Sequence, residues 1–194
     1  MPKNSLFKIM NKIKKLIIAC DGEAASGKST GAKLLSKKYN LLLINSGLFY
    51  RYSSKLIIQK KPKNIINFLK KELKMISYQK IAKQDLHSEA ISNHVGVLAK
   101  NKKVREIVNQ LQMKIIKNNK RICVEGRDIA SKVLTKNPKY DVAFYFTCNL
   151  NTASHRRWLD IKKKVPLKLV RSSLKNRTLM DKKRKNSPLK KVKD

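Results

Sequence analysis

Gly22-Glu23-Ala24-Ala25-Ser26-Gly27-Lys28-Ser29 carries the spacing of a phosphate-binding loop: a glycine, four free positions, then glycine, lysine and a hydroxyl. A loop of this kind turns several backbone N–H groups and the start of a helix toward one point, where hydrogen bonds and the helix dipole stabilise an anion. Lys28 adds a mobile positive charge for the β- and γ-phosphates of a nucleoside triphosphate, and the Ser29 hydroxyl offers an oxygen ligand to Mg²⁺. With Thr30, the expected nucleotide-contacting set is Gly22, Glu23, Ala24, Ala25, Ser26, Gly27, Lys28, Ser29 and Thr30. A chance glycine turn is the competing explanation, and both flanks argue against it. Leu16-Ile17-Ile18-Ala19-Cys20 is apolar and long enough for one buried strand. Ser29 to Lys38 is patterned as a helix, with Leu34 and Leu35 expected to face a sheet and the lysines to face water.

The elements that must hold this loop follow from the rest of the chain. Leu41 to Ile44 is a second strand candidate, ended by Asn45-Ser46-Gly47 and followed by a helix over Leu48 to Ile58. Lysine-rich sequence from Lys60 to Glu89 offers a helical piece over Ile65 to Leu73 and no central strand. Val95 to Ile116 has apolar residues at helical spacing and is expected as one long helix. Ile122-Cys123-Val124, ended by Glu125-Gly126, and Val142 to Phe146 complete four strand candidates. From Thr152 onward the sequence is helical and basic, broken at Pro166. Strands alternating with helices predict an α/β fold with a parallel sheet covered on both faces, whose ligands gather beyond the carboxyl ends of the strands. The unusual residues all follow strand candidates: Asp21 and the loop, Asn45-Ser46-Gly47, and Glu125-Gly126-Arg127-Asp128.

Lys+Arg 47 against Asp+Glu 12 gives a formal net charge of +35 over 194 residues. The lysines are scattered among Ile and Asn without interleaved aromatics, so a compositional bias explains them better than a stacking platform for nucleic acid. A nucleic-acid-binding module rests on charge alone. Arginine is rarer and more informative, because its planar fork makes two parallel bonds to a phosphate. Arg127 follows a buried strand and abuts Asp128, whereas Arg121 and Arg171 are expected as solvated surface charges. Cys20, Cys123 and Cys148 all lie in apolar runs expected as strands, lack metal-ligand spacing, and suit a reducing cytoplasm. The basic segment 1–14 has no apolar region of a secretory signal and is expected as an extension, and no apolar run reaches the ~20 residues of a membrane span. A guanine-nucleotide switch is disfavoured, because Asn118-Asn119-Lys120-Arg121 lacks the carboxylate of the guanine motif.

Asp21-Gly22…Gly27-Lys28, Asn45-Ser46-Gly47-Leu48-Phe49-Tyr50-Arg51, Val104-Arg105, Glu125-Gly126-Arg127-Asp128, His155-Arg156-Arg157 and Asp181-Lys182-Lys183-Arg184…Pro188-Leu189 occur in an order that resembles the bacterial cytidylate kinases, from about Leu16 to the last residue. The resemblance implies a three-layer P-loop kinase fold over 15–194, with a reduced monophosphate-binding insert at 60–95 and a helical lid at 152–185. It implies transfer of phosphate from ATP, with Mg²⁺, to CMP or dCMP by a cytoplasmic monomer whose partners are small nucleotides and not a specific nucleic acid or a membrane. By position, Arg51, Arg127 and Arg184 would hold the acceptor phosphate, Arg105 and Asp128 the cytosine edge, and Asp181 the sugar hydroxyls. Lys28, Arg157 and Arg184 would act on the transferred phosphoryl group. The chain departs from the family pattern at Asn45 and Glu125, where Asp is usual, and at Gly96, where a base-contacting serine is usual. Gly96 keeps open a kinase of another small acceptor, a different nucleoside monophosphate or a shikimate-like alcohol. Family members continue past the Pro188-Leu189 segment into a further strand, so an exposed sheet edge is expected here.

Overall fold

The computed structural model describes residues 14–193. All but the last residue of the basic leading segment therefore lies outside the described residues. Two compact units are present, one of residues up to Leu43 and from Lys120 onward, the other Ile44–Asn119.

The first unit is built on a four-stranded parallel sheet of order β2-β3-β1-β4, where β1 is Leu16–Gly22, β2 Leu42–Asn45, β3 Arg121–Glu125 and β4 Val142–Phe146. The last two residues of β2 already belong to the second unit. All seven residues of β1 are buried, as a strand flanked on both sides requires. Ile18 pairs with Cys123 on one side and with Val142 on the other. β4 is an edge, only partly buried, and its Phe144 is 40% exposed. The first unit also holds α1 (Lys28–Tyr39), a π-type turn at Ile129–Val133, α7 (Leu150–Asp160) and α8 (Leu167–Lys183). This is the α/β fold with a parallel sheet that the alternation of strands and helices implied.

Within the first unit, Leu16, Ile18, Cys20, Ala32, Leu41 and Cys123 form one buried cluster, against which Leu35 and Phe146 pack. Leu34 does not join it. It is 64% exposed, because α1 turns Ala32 and Ser36 inward instead. The Cys20 and Cys123 thiols share a hydrogen bond, their sulfurs 3.7 Å apart, and form no disulfide. Cys148, expected in a strand, falls in the irregular segment after β4. Arg121 is not a solvated charge either, since its guanidinium donates to the Tyr39 carbonyl at the end of α1.

The second unit is helical: α2 (Ser46–Lys60), α3 (Ile65–Lys74), α4 (Tyr78–Ala82), α5 (Glu89–Leu98) and α6 (Lys102–Lys117). Phe49, Leu69, Ile81, Leu86, Val104, Val108 and Ile116 are fully buried in it. The single long helix expected over Val95 to Ile116 is two helices. Asn101 starts the second by accepting a hydrogen bond from the Val104 N–H, which satisfies a donor that a continuing helix would have used internally. Asn45 caps α2 in the same way, accepting from the Gly47 N–H.

Candidate active site

Where β1 ends, Gly22 approaches β4 closely. A Cβ built there would meet the Phe146 carbonyl oxygen at 2.4 Å, so only glycine fits. The Glu23 N–H then donates to that same carbonyl at 3.1 Å, which fixes the loop's departure. Ala25 and Gly27 take left-handed conformations with φ of 54° and 84°. Gly27 is the residue before α1 and accepts the Gly31 N–H at 2.9 Å, so the helix opens directly from the loop. Ser29 and Thr30 lie exposed in the first turn, and Ser26 is buried. Such a succession of αR and αL residues at a helix start gathers N–H groups into an anion-binding concavity.

Lys28 Nζ lies 3.3 Å from Glu125 Oε2 at the end of β3, and the two side chains are 12% and 3% exposed. Burial holds the Lys28 ammonium below its ordinary range, and the Glu125 carboxylate pulls the other way. Lys28 is thus a buried, ion-paired side chain whose removal would strand the Glu125 carboxylate. Asp21, one residue before the loop, is 2% exposed and accepts the N–H groups of Ile129 and Ala130 at 2.8 Å each. Burial raises its carboxyl to about 6, against the pull of those two donors. The stability linked to this group is therefore present in acid and lost as pH rises through about 6.

Arg127 donates to the Gly22 carbonyl at 2.6 Å and sits 3.3 Å from Asp181 at the end of α8. Burial lowers its proton affinity while Asp181 opposes that, and a guanidinium stays charged throughout. Arg184 lies 3.6 Å from both Asp128 and Asp181 and also donates to the Ser187 carbonyl. Lys182 reaches back to the loop and meets Glu23 Oε1 at 2.6 Å. In one unit, then, the phosphate loop, Lys28, Glu125, Arg127, Asp128, Asp181 and Arg184 come together. Arg157 is exposed on α7. The Lys182–Glu23 pair was missed at the level of sequence. Both residues stood inside noted motifs, but nothing local signals that they meet across the fold.

Arg51 and Arg105 lie in the second unit. Arg51 donates to the Leu86 carbonyl at 2.9 Å and to the Ser92 hydroxyl at 3.0 Å. Arg105 is 5% exposed, with its guanidinium 5.7 Å from the centre of the Tyr50 ring. Gly96 is exposed on α5, with open space where a side chain would stand.

Oxygen ligands for Mg²⁺ are few, as that ion prefers: it keeps most of its waters and takes one or two protein oxygens beside the substrate phosphates. The exposed Ser29 hydroxyl fits such a role, and the Glu125 carboxylate could order one of those waters. Asp21 is committed to backbone donors.

The family described as cytidylate kinase matches residues 18–194. The chain is 35% identical over 195 residues to a cytidylate kinase of Fusobacterium nucleatum, covering 91% of this chain and 86% of that one. It is 31% identical over 198 residues to a cytidylate kinase of Lactococcus lactis, covering 94% and 88%. A bifunctional pantoate ligase/cytidylate kinase of Prochlorococcus marinus is 33% identical over 201 residues. That match covers 93% of this chain, which spans 38% of the longer protein.

Proposed function

The chain belongs to the cytidylate kinase family, and from that premise we propose that it transfers the γ-phosphoryl group of ATP to CMP or dCMP, giving ADP and CDP or dCDP. The observation that carries the reading to this chain's own residues is the convergence of Lys28 with Arg127 and Arg184 beside a phosphate-binding loop. Two anionic molecules must be held in line, and charge builds on the transferred phosphoryl oxygens. The loop N–H groups and Lys28 bind the donor phosphates, with Lys28 exchanging Glu125 for phosphate oxygen. Arg127 and Arg184, with Arg51, hold the acceptor phosphate, and Arg105 and Asp128 read the base. Arg157 approaches on closure of α7 and α8. The Ser29 hydroxyl and water would hold Mg²⁺, which would supply charge neutralisation on the donor phosphates. An acceptor phosphate oxygen forms the new bond to the γ-phosphorus as the bond to the β-phosphate oxygen breaks. The acceptor is already an anion, so no general base is assigned and positioning carries the rate.

We further read the protein as a monomer working in a reducing compartment, which suits three free cysteines. No helix among the described residues is long and apolar enough to cross a membrane. The test is coupled ADP release against CMP, dCMP, UMP, AMP and GMP. CMP and dCMP are expected to lead. Asp128, 6% exposed, would be left facing a carbonyl when UMP enters. Asp128→Ala should therefore narrow the CMP-over-UMP margin by roughly tenfold, the cost of one unmatched polar group. AMP as the best acceptor would move the chain to a neighbouring kinase specificity.

A further inference from the structure

The Asp181 carboxylate bridges two guanidinium groups, with Oδ2 3.3 Å from Arg127 Nε and Oδ1 3.6 Å from an Arg184 terminal nitrogen. We propose that Asp181 is a built-in competitor for the anion groove between Arg127 and Arg184, and that it restricts the groove to doubly charged phosphate. The proposal rests on the reading of these two arginines as the clamp on the acceptor phosphate.

Three observations carry it. The first is that one carboxylate already places an oxygen on each arginine, as a bound anion would. The second is that it fits the groove incompletely. The second Arg184 terminal nitrogen is buried without a hydrogen bond among the described residues, held only by an ion pair to Asp128 Oδ1 at 3.6 Å, and Asp181 Oδ2 makes no hydrogen bond either, only its ion pair to Arg127 at 3.3 Å. A buried donor left in this way favours any acceptor that satisfies it, and a phosphate offers three acceptor oxygens against two. The third is that the backbone of Asp181 is anchored while its side chain has somewhere to go. Its carbonyl accepts the Leu189 N–H at 2.8 Å, the adjacent Lys182 holds Glu23, and the Asp181 side chain is 18% exposed.

A singly charged anion that enters merely exchanges one charge for another and gives up its translational freedom to do so. A phosphate monoester, with about −1.5 to −2 charge at neutral pH, gains more from the same two arginines than the tethered carboxylate loses. Displacement also frees Asp181 to accept a hydrogen bond from a hydroxyl. Sugar recognition would then follow phosphate entry, and a nucleoside lacking the phosphate would meet an engaged carboxylate.

The experiment titrates inorganic phosphate and acetate into the full chain at pH 8 by calorimetry, comparing the wild type with Asp181→Asn. The neutral variant should bind phosphate about tenfold tighter, about 1.4 kcal/mol, and should lose most of the discrimination against acetate. The gain should vanish when Arg184→Ala is added. Phosphate affinity that is unchanged or weaker in a folded Asp181→Asn chain overturns the inference, and so does a gain that persists without Arg184. Asp181→Ser, checked by circular dichroism, supplies the same comparison if the asparagine variant does not fold. CMP-dependent ADP release by the wild type separates the two levels. Activity without the gain in phosphate affinity removes the inference alone. A gain without activity on any monophosphate removes the functional reading and leaves the competitor in place.

Discussion

Between Gly22 and Ser29 the backbone itself carries the shape, through the Glu23 N–H on the Phe146 carbonyl, left-handed turns at Ala25 and Gly27, and a helix that opens from Gly27. The last turn of α8 is held instead by charged side chains, Asp181 to Arg127 and Arg184, and Lys182 to Glu23. Backbone geometry of the first kind is indifferent to salt and preorganised for an anion. Ion pairs of the second kind are worth little each where they reach solvent, and are screened as ionic strength rises. On the proposed function the contrast teaches a division of labour: a rigid floor for the donor phosphates and a releasable clasp on the acceptor side. Arg127 joins the two, donating to the Gly22 carbonyl while pairing with Asp181.

The largest effect should come from Lys28→Ala. Turnover is expected to fall on the order of a thousandfold, since the lost charge faces the transferred phosphoryl group. Stability should also drop by ~1–3 kcal/mol, because Glu125 is left buried without its partner. ADP release and thermal unfolding read the two losses separately, and near-normal turnover would remove the phosphate-loop reading. Next comes the floor against the clasp in stability alone. Gly22→Ala drives a Cβ onto backbone and should cost ~3 kcal/mol in urea unfolding, whereas Lys182→Ala should cost under ~1 kcal/mol. Equal costs would erase the distinction between backbone-built and charge-built halves. The smallest effect tests the junction. Arg127→Lys keeps the charge but loses the fork, and should lower kcat/KM about tenfold, while Arg171→Lys on exposed α8 surface should change it less than about twofold.

What the sequence made legible was whatever depends on neighbours along the chain. The order glycine, lysine, hydroxyl between an apolar run and a helix was enough to place β1, the loop and α1, because each is specified within a few residues. The break at Asn101 was also written locally, as an asparagine cap three residues before Val104. It was masked by apolar spacing that continues across it. The direction of Leu34 could not be read in this way. A helix with lysines on several sides leaves its inward face undecided until the sheet beside it exists, and Ala32 and Ser36 take that face here. The pairs Lys28–Glu125 and Glu23–Lys182 join residues far apart in sequence. The family resemblance implied that positive charge would converge near the loop. It did not imply that carboxylates of the same chain would meet that charge there.

The position of β1 between β3 and β4 has a consequence for how the molecule is made. Both of its ladders are to strands roughly a hundred or more residues later in the chain, Ile18 pairing with Cys123 and Val142. Loop closure over such separations slows folding relative to local contacts. At a synthesis rate of about 5–20 residues per second, β1 emerges roughly 5–20 s before either partner exists. During that interval its apolar residues have no sheet to enter. The helices of Ile44–Asn119, whose contacts are closer in sequence, can form first. The phosphate-binding loop is thus among the first segments to be synthesised and the last to be assembled, and a chain stalled before Phe146 would carry the loop's sequence without its shape.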